Sequence, residues 1–267
     1  MFKRLPAGLQ ALIEVGILFL PSIPAYLWVW PNVHGTSETA FQVLVYLYVL
    51  AGTVFIGRRR WTWNELGINR IGLWRSLGCA LAFAVARWLI IKGVAWETPP
   101  PVFSAAGLAW NIFYYFALVG LVEELLFRGL VYRALEDWRG GIGQKHAARW
   151  AIWGSAIGFM LWHIFGQGPL LGISTLVIGL AFAAIRWQAG GIVGLIVLHG
   201  LWDLESILLV ASDNSAIFSH GYPAIASHAF LLLGTALLVL TPLYVWLIHP
   251  RWLRVLSMRK GLFQRSK

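Results

Sequence analysis

The sequence is short of cysteine, of acid and of charge as a whole, and each shortage narrows what the chain can be. A single cysteine, Cys79, stands among 267 residues, which excludes an intrachain disulfide and any cysteine-based metal cluster. Asp and Glu together number 11, and all charged residues make up 12% of the chain, against about 25% in soluble domains. With so little charge and 59% apolar residues, a soluble globular domain and a disordered chain are both excluded. Glycine-rich phosphate loops, HExxH motifs and Ser/His/Asp arrangements are missing as well. What is present instead is apolar length and aromatic rings. Mean hydropathy is +0.71, and 16 Trp, 8 Tyr and 15 Phe suit a protein whose amphipathic rings settle at two membrane interfaces. The expected class is an all-α, polytopic membrane protein.

A bilayer core of about 30 Å is crossed by about 20 apolar helical residues. About eight stretches qualify as transmembrane helices: Leu9 to Trp30, Thr39 to Ile56, Ser76 to Val94, Ala105 to Leu126, Trp150 to Phe165, Leu170 to Trp187, Ile192 to Val210 and Ser227 to Ile248. The fourth is expected to stay helical to about Asp137. The first contains Glu14, Pro21 and Pro24 and has no small-x-small cleavage site, so it reads as a span and not as a removable leader. Net charge is +10, a value that would suggest nucleic acid in a soluble protein. Here all but two of the 21 Lys and Arg residues fall on one side of the predicted spans, and the exceptions, Arg87 and Lys92, lie inside the third. The charge therefore reads as topology, with both termini cytoplasmic, and nucleic acid drops out as a partner. The tail from Pro250 mixes six cations with Trp252, Leu256 and Phe263, a composition for lying against anionic lipid.

No internal repeat or composition shift divides the chain. A single integral domain is expected, with three N-terminal spans in residues 1–104, a core in 105–210 and a last span with the basic tail in 211–267. Gly154 with Gly158 and Gly190 with Gly194 have the four-residue spacing that lets membrane helices approach closely.

Ionisable groups inside apolar spans are expensive and are functional candidates by default. Glu123 and Glu124 lie in the fourth span, His163 in the fifth, and His199 and Asp203 in the seventh. Glu124 and Arg128 are four apart, in the Glu-before-Arg order that favours pairing along a helix. Glu123 sits about 100° round that helix and is left to face something else. Phe159 and His163 share a face, as do His199 and Asp203. From Glu123 to a helix end near Asp137 is about as long as from a start near His146 to His163, so both groups reach similar heights in adjacent antiparallel helices.

The pattern Glu123-Glu124-x-x-x-Arg128, Phe159-x-x-x-His163, His199-x-x-x-Asp203 resembles the CPBP family of intramembrane proteases. That family includes the CAAX prenyl endopeptidases and bacterial relatives linked to bacteriocin self-immunity or to processing of C-terminal sorting signals. The resemblance covers residues 105 to 210. It implies a glutamic endopeptidase without cofactor or metal, in a bacterial inner or plasma membrane, acting on a membrane-anchored protein or peptide. It further implies that Glu123 and His163 activate the attacking water and that His199 and Asp203 stabilise the oxyanion. Relatives often carry Asn at the last position, and an amide donates a hydrogen bond where an ionised carboxylate cannot. The reading for this chain is that Asp203 orients His199 and keeps it protonated, so that His199 is the donor. Phe159 is expected to pack and fix the His163 rotamer, with Glu124 and Arg128 supporting. Two other readings use the same residues. Glu123, His163 and His199 make a credible zinc set, and buried Glu and His also serve non-catalytic immunity proteins, scaffolds or proton-coupled carriers.

Overall fold

The computed structural model describes residues 5–29, 32–34, 36–70, 72–78, 81–82, 84–85, 104–140, 144–167 and 169–211. Every element among them is helical. Helix α1 spans Ala7–Phe19, continued by Ser22–Pro24 and a π-helical turn over Ala25–Val29; α2 spans Thr36–Arg58; α3 runs over Ala105–Trp138; α4, α5 and α6 span Lys145–Gln167, Pro169–Ala189 and Val193–Ala211. Among the described residues, three helical segments are long and apolar enough to cross a membrane: Ala7–Pro24, Ser37–Arg58 and Ala105–Trp138. The stretches expected at 150–165, 170–187 and 192–210 are helical too, with shorter apolar segments in Thr175–Ala189 and Val193–Leu204. The third expected span is described only in part. The eighth, with the basic tail, lies outside the described residues, so the count of about eight rests on the sequence.

Helix α3 organises the rest. Ser104 caps its start, the hydroxyl accepting from the Gly107 amide at 3.1 Å, and the helix stops at Trp138, where Gly140 turns the chain at φ +131°. Between these ends it is not a uniform α-helix. Phe113–Gly120 and Glu124–Val131 wind as π-helix, the wide turn that recurs at functional sites, and Glu123 stands at the junction. Ordinary helical periodicity cannot foresee this, because one extra residue per hydrogen-bonded turn leaves no compositional mark.

Four contacts fix the helices around α3. Helix α1 crosses its C-terminal end at Gly8, whose amide donates to the Asp137 carboxylate at 3.0 Å and where a Cβ would strike the Ala134 carbonyl. Helix α4 packs back against that same end, with Gly154 against Leu135, and α5 packs antiparallel along α4. Helix α6 crosses the first half of α3 at two glycines. A Cβ on Gly120 would stand 2.9 Å from the Ile196 carbonyl oxygen, and one on Gly200 2.5 Å from the Phe116 ring.

The glycine pairs read from spacing divide unequally. Gly194 is a true close contact, with its amide donating to Ser76 Oγ at 2.9 Å and no room for a Cβ against the Ser76 backbone. Gly158 meets Phe127 only at ordinary distance. Gly190 has open space around it and a φ of +74°, so it ends α5 by a left-handed turn and is not a packing residue.

At the end of the bundle where α3 and α5 finish, the segment between Arg59 and Asn69 folds back over the helices. Thr62 and Glu65 form a reciprocal capping box, with Thr62 N and Oγ1 donating to Glu65 Oε2 at 2.8 and 2.9 Å. The Thr62 amide, with its hydroxyl and Arg133, holds the Glu65 carboxyl below the usual carboxylate range. Arg186, counted by sequence among the topology-setting cations, is buried instead. It donates from Nε to the Arg128 carbonyl at 3.2 Å and from Nη2 to the Glu65 carbonyl at 3.0 Å. Glu14, inside the first expected span, binds Arg59 at 2.8 Å and Arg60 at 2.6 Å and joins α1 to the end of α2.

Candidate active site

The three motifs meet at α3, α4 and α6. Glu123, Glu124, Arg128 and His199 are all buried, at 2%, 0%, 0% and 5% exposure, so any unsatisfied charge among them would be costly. Arg128 satisfies part of that demand. Its Nη1 donates to Glu124 Oε1 at 3.0 Å and its Nη2 to the Gly179 carbonyl at 3.5 Å. The guanidinium carbon lies 4.1 Å from the Phe159 ring centroid and 5.3 Å from that of Phe182, two aromatic faces that favour a cation. The same Glu124 oxygen lies 2.8 Å from His199 Nδ1. An oxygen that only accepts requires Nδ1 to donate.

His199 Nε2 also faces carboxylates, Asp203 Oδ2 at 3.5 Å and Glu123 Oε2 at 3.7 Å. The Nδ1 partner is thus Glu124, from another helix, and Asp203 sits on the opposite nitrogen. His163 is oriented by its own helix. Its Nδ1 lies 2.9 Å from the Phe159 carbonyl, which can only accept, so the neutral ring carries its proton there and turns a lone pair on Nε2 outward. Nε2 stands 3.7 Å from Glu123 Oε2. The Phe159 ring lies 4.3 Å from that imidazole and 5.8 Å from that of His199. Phe127 packs edge-on to Phe159 at 5.5 Å from behind.

Glu123 therefore has two unlike oxygens. Oε1 accepts from Tyr46 Oη at 2.8 Å and from Trp162 Nε1 at 3.0 Å. Oε2 is buried and has no hydrogen-bond partner in the protein; it faces both imidazole Nε2 atoms. The sequence reading missed both donors and found no local partner for Glu123. Trp162 precedes His163 and, as one of 16 tryptophans, reads by sequence as an interface anchor, and nothing in the spacing connects Tyr46 of α2 with α3. The indole also lines an apolar cavity of about 370 Å³ between α1, α3 and α4, with Phe19 and Phe127 among its walls.

Residues 105–204 match the family described as Type II CAAX prenyl endopeptidase Rce1-like. That match supports a CPBP-type protease region in this part of the chain. The matched region begins at the start of α3 and ends just beyond Asp203, so it takes in all three motifs. Comparison with curated proteins and with solved structures finds no match. The match to a peptidase family and the three apolar segments among the described residues point to an integral membrane protein of peptidase type. Among the described residues no group of three or more His, Cys, Asp or Glu is arranged to hold a metal ion.

Proposed function

We propose that this protein is a glutamic intramembrane endopeptidase of the CPBP type that hydrolyses a membrane-tethered protein or peptide near its C-terminal end, with both of its own termini in the cytoplasm. The observation that carries the reading is Glu123 Oε2, buried, without a hydrogen bond from the protein, and 3.7 Å from the Nε2 atoms of both His163 and His199. At that separation the atoms are too far apart to bond one another and close enough to share a partner. The attacking water is that partner. It donates one hydrogen to Glu123 and the other to the His163 lone pair, and its oxygen attacks the scissile carbonyl as Glu123 takes the proton. His199, donating from Nδ1 to Glu124, has Nε2–H available for the carbonyl oxygen as it becomes an oxyanion. Glu123 then returns its proton to the leaving nitrogen, and the C–N bond breaks. The apolar cavity beside Trp162 suits the apolar part of a tethered substrate.

The direct test compares the C-terminal peptides of membrane-anchored proteins in cells carrying the wild-type chain and Glu123→Ala. At least one protein should keep an extended C-terminus in the variant; identical C-terminal peptides in both would defeat the reading. The purified protein should retain activity through exhaustive chelation. Stoichiometric zinc lost together with activity would instead make Glu123, His163 and His199 ligands.

The third motif is separable by its charge dependence. His199 faces Glu124 on Nδ1, Glu123 and Asp203 on Nε2, and the rings of Phe159 and Phe182 at 5.8 Å each. If the negative charge of Asp203 keeps both nitrogens protonated, Asp203→Asn loses activity more at high pH than at low pH. Superimposable pH–rate profiles for the two proteins would eliminate that role. His199→Ala should cost on the order of 10²-fold in rate, the usual loss for one oxyanion donor.

A further inference from the structure

We infer that Tyr46 and Trp162 are positioning residues for the catalytic carboxylate: together they occupy Glu123 Oε1 and so leave Oε2 as the oxygen that handles protons. This rests on the reading of Glu123 as the base. A carboxylate on a long side chain can turn about its last bond and exchange its two oxygens. Only one of them can face both imidazoles. The Tyr46 hydroxyl at 2.8 Å and the Trp162 indole N–H at 3.0 Å converge on Oε1 from α2 and α4, so turning the carboxyl would break two hydrogen bonds in a buried site. The donors themselves are held by rings. Tyr46 and Trp162 meet edge-on at 6.5 Å, Trp162 lies 5.3 Å from Phe19, and Tyr46 lies 6.2 Å from Tyr114.

The arrangement brings in α2, which carries none of the three motifs and lies outside the matched residues 105–204. Trp162 adds a connection to the substrate's apolar part, since its ring also walls the 370 Å³ cavity. The residue between cavity and base therefore touches both.

The test uses Tyr46→Phe and Trp162→Phe, which delete a donor and keep an aromatic ring, in the full chain in lipid nanodiscs. Tyr114→Phe is the control: its hydroxyl donates to Gln42 at 2.6 Å in the same aromatic cluster. The substrate is the peptide spanning the cleavage site found in the C-terminal comparison. Each donor variant should lower kcat about tenfold, and the pair about 10²-fold, as expected for a misplaced reacting group. In Tyr46→Phe, which leaves the cavity wall intact, KM should stay within about twofold and melting should fall only slightly; Trp162→Phe also trims that wall, so kcat is its readout. Wild-type kcat in both donor variants would overturn the inference, as would equal losses in the control or a fall in melting temperature that tracks the loss of rate. Glu123→Gln separates the two levels: if it stays active, the base assignment fails and the inference with it; if it is inactive while both donor variants work normally, the inference alone fails.

Discussion

Glu123→Gln should cleave substrate about 10² to 10⁴ times more slowly than the wild type, the range removed with a general base, while its melting temperature hardly changes. The second half of that expectation is as specific as the first. A glutamine has the same shape, and its amide oxygen can go on accepting from Tyr46 and Trp162, the two bonds that anchor Oε1. Only the proton-accepting property of Oε2 is lost. The amide nitrogen that replaces it can donate toward the His163 lone pair, which further removes that lone pair from service to water. His163→Ala should fall comparably in rate, because the group 3.7 Å from Oε2 is gone, and it should also leave the Phe159 carbonyl without its Nδ1 donor. Single-turnover cleavage and thermal unfolding on the same preparations check both. Retention of more than about a tenth of the rate in Glu123→Gln, far above what loss of a general base leaves, would remove the residue from bond breaking.

The largest effect on stability is expected at Arg128. Arg128→Met should destabilise the folded protein by about 3–5 kcal/mol, the cost of breaking a buried ion pair from one side. The side chain is completely enclosed, between two aromatic faces, and it is a cation bound directly to Glu124. Methionine fills much of the volume and leaves Glu124 with His199 alone. Because Glu124 in turn sets His199, the rate should fall with the stability. Adding Glu124→Gln to Arg128→Met should recover most of the stability, since an apolar or neutral replacement of both partners avoids the stranded charge. It should not recover the rate. Unfolding in mixed detergent across the four proteins of that cycle gives the coupling directly. An Arg128→Met protein as stable as the wild type would mean that the pair does not hold the core.

Much of this site can be read along single helices, because helical spacing is a local property. Glu124 and Arg128 pair as their order and separation require, His163 faces the carbonyl of Phe159 four residues back, and the hairpin arithmetic from Glu123 to His163 agrees with helix ends at Trp138 and Lys145. Contacts between helices were legible only where charge demanded them. That a buried Glu123 must face something follows from desolvation; that it faces Tyr46, 77 residues away, follows from how α2 seats against α3, and tyrosine at that position has no periodic signature. Trp162 was hidden by its own commonness, since one indole among 16 tryptophans reads as interfacial. Asp203 drew attention as the motif neighbour of His199, and the stronger orienting contact proved to come from Glu124, whose spare capacity an i,i+4 pairing rule does not reveal. The π-helical turns around Glu123 are likewise decided by the packing of α3 among its neighbours and not by its composition.

Gly120 and Gly200 carry no functional group, yet the crossing of α6 over α3 at these two positions sets how far His199 stands from the two glutamates. Any larger residue at either would push one helix off the other and lengthen the 2.8 Å contact between His199 and Glu124. Under selection for activity, these two sites should drift as little as positions 123 and 199, and a lineage that released them would have lost the reaction first. Retained glycine at both positions in a distant descendant would then be a sign of surviving chemistry, independent of the motifs themselves.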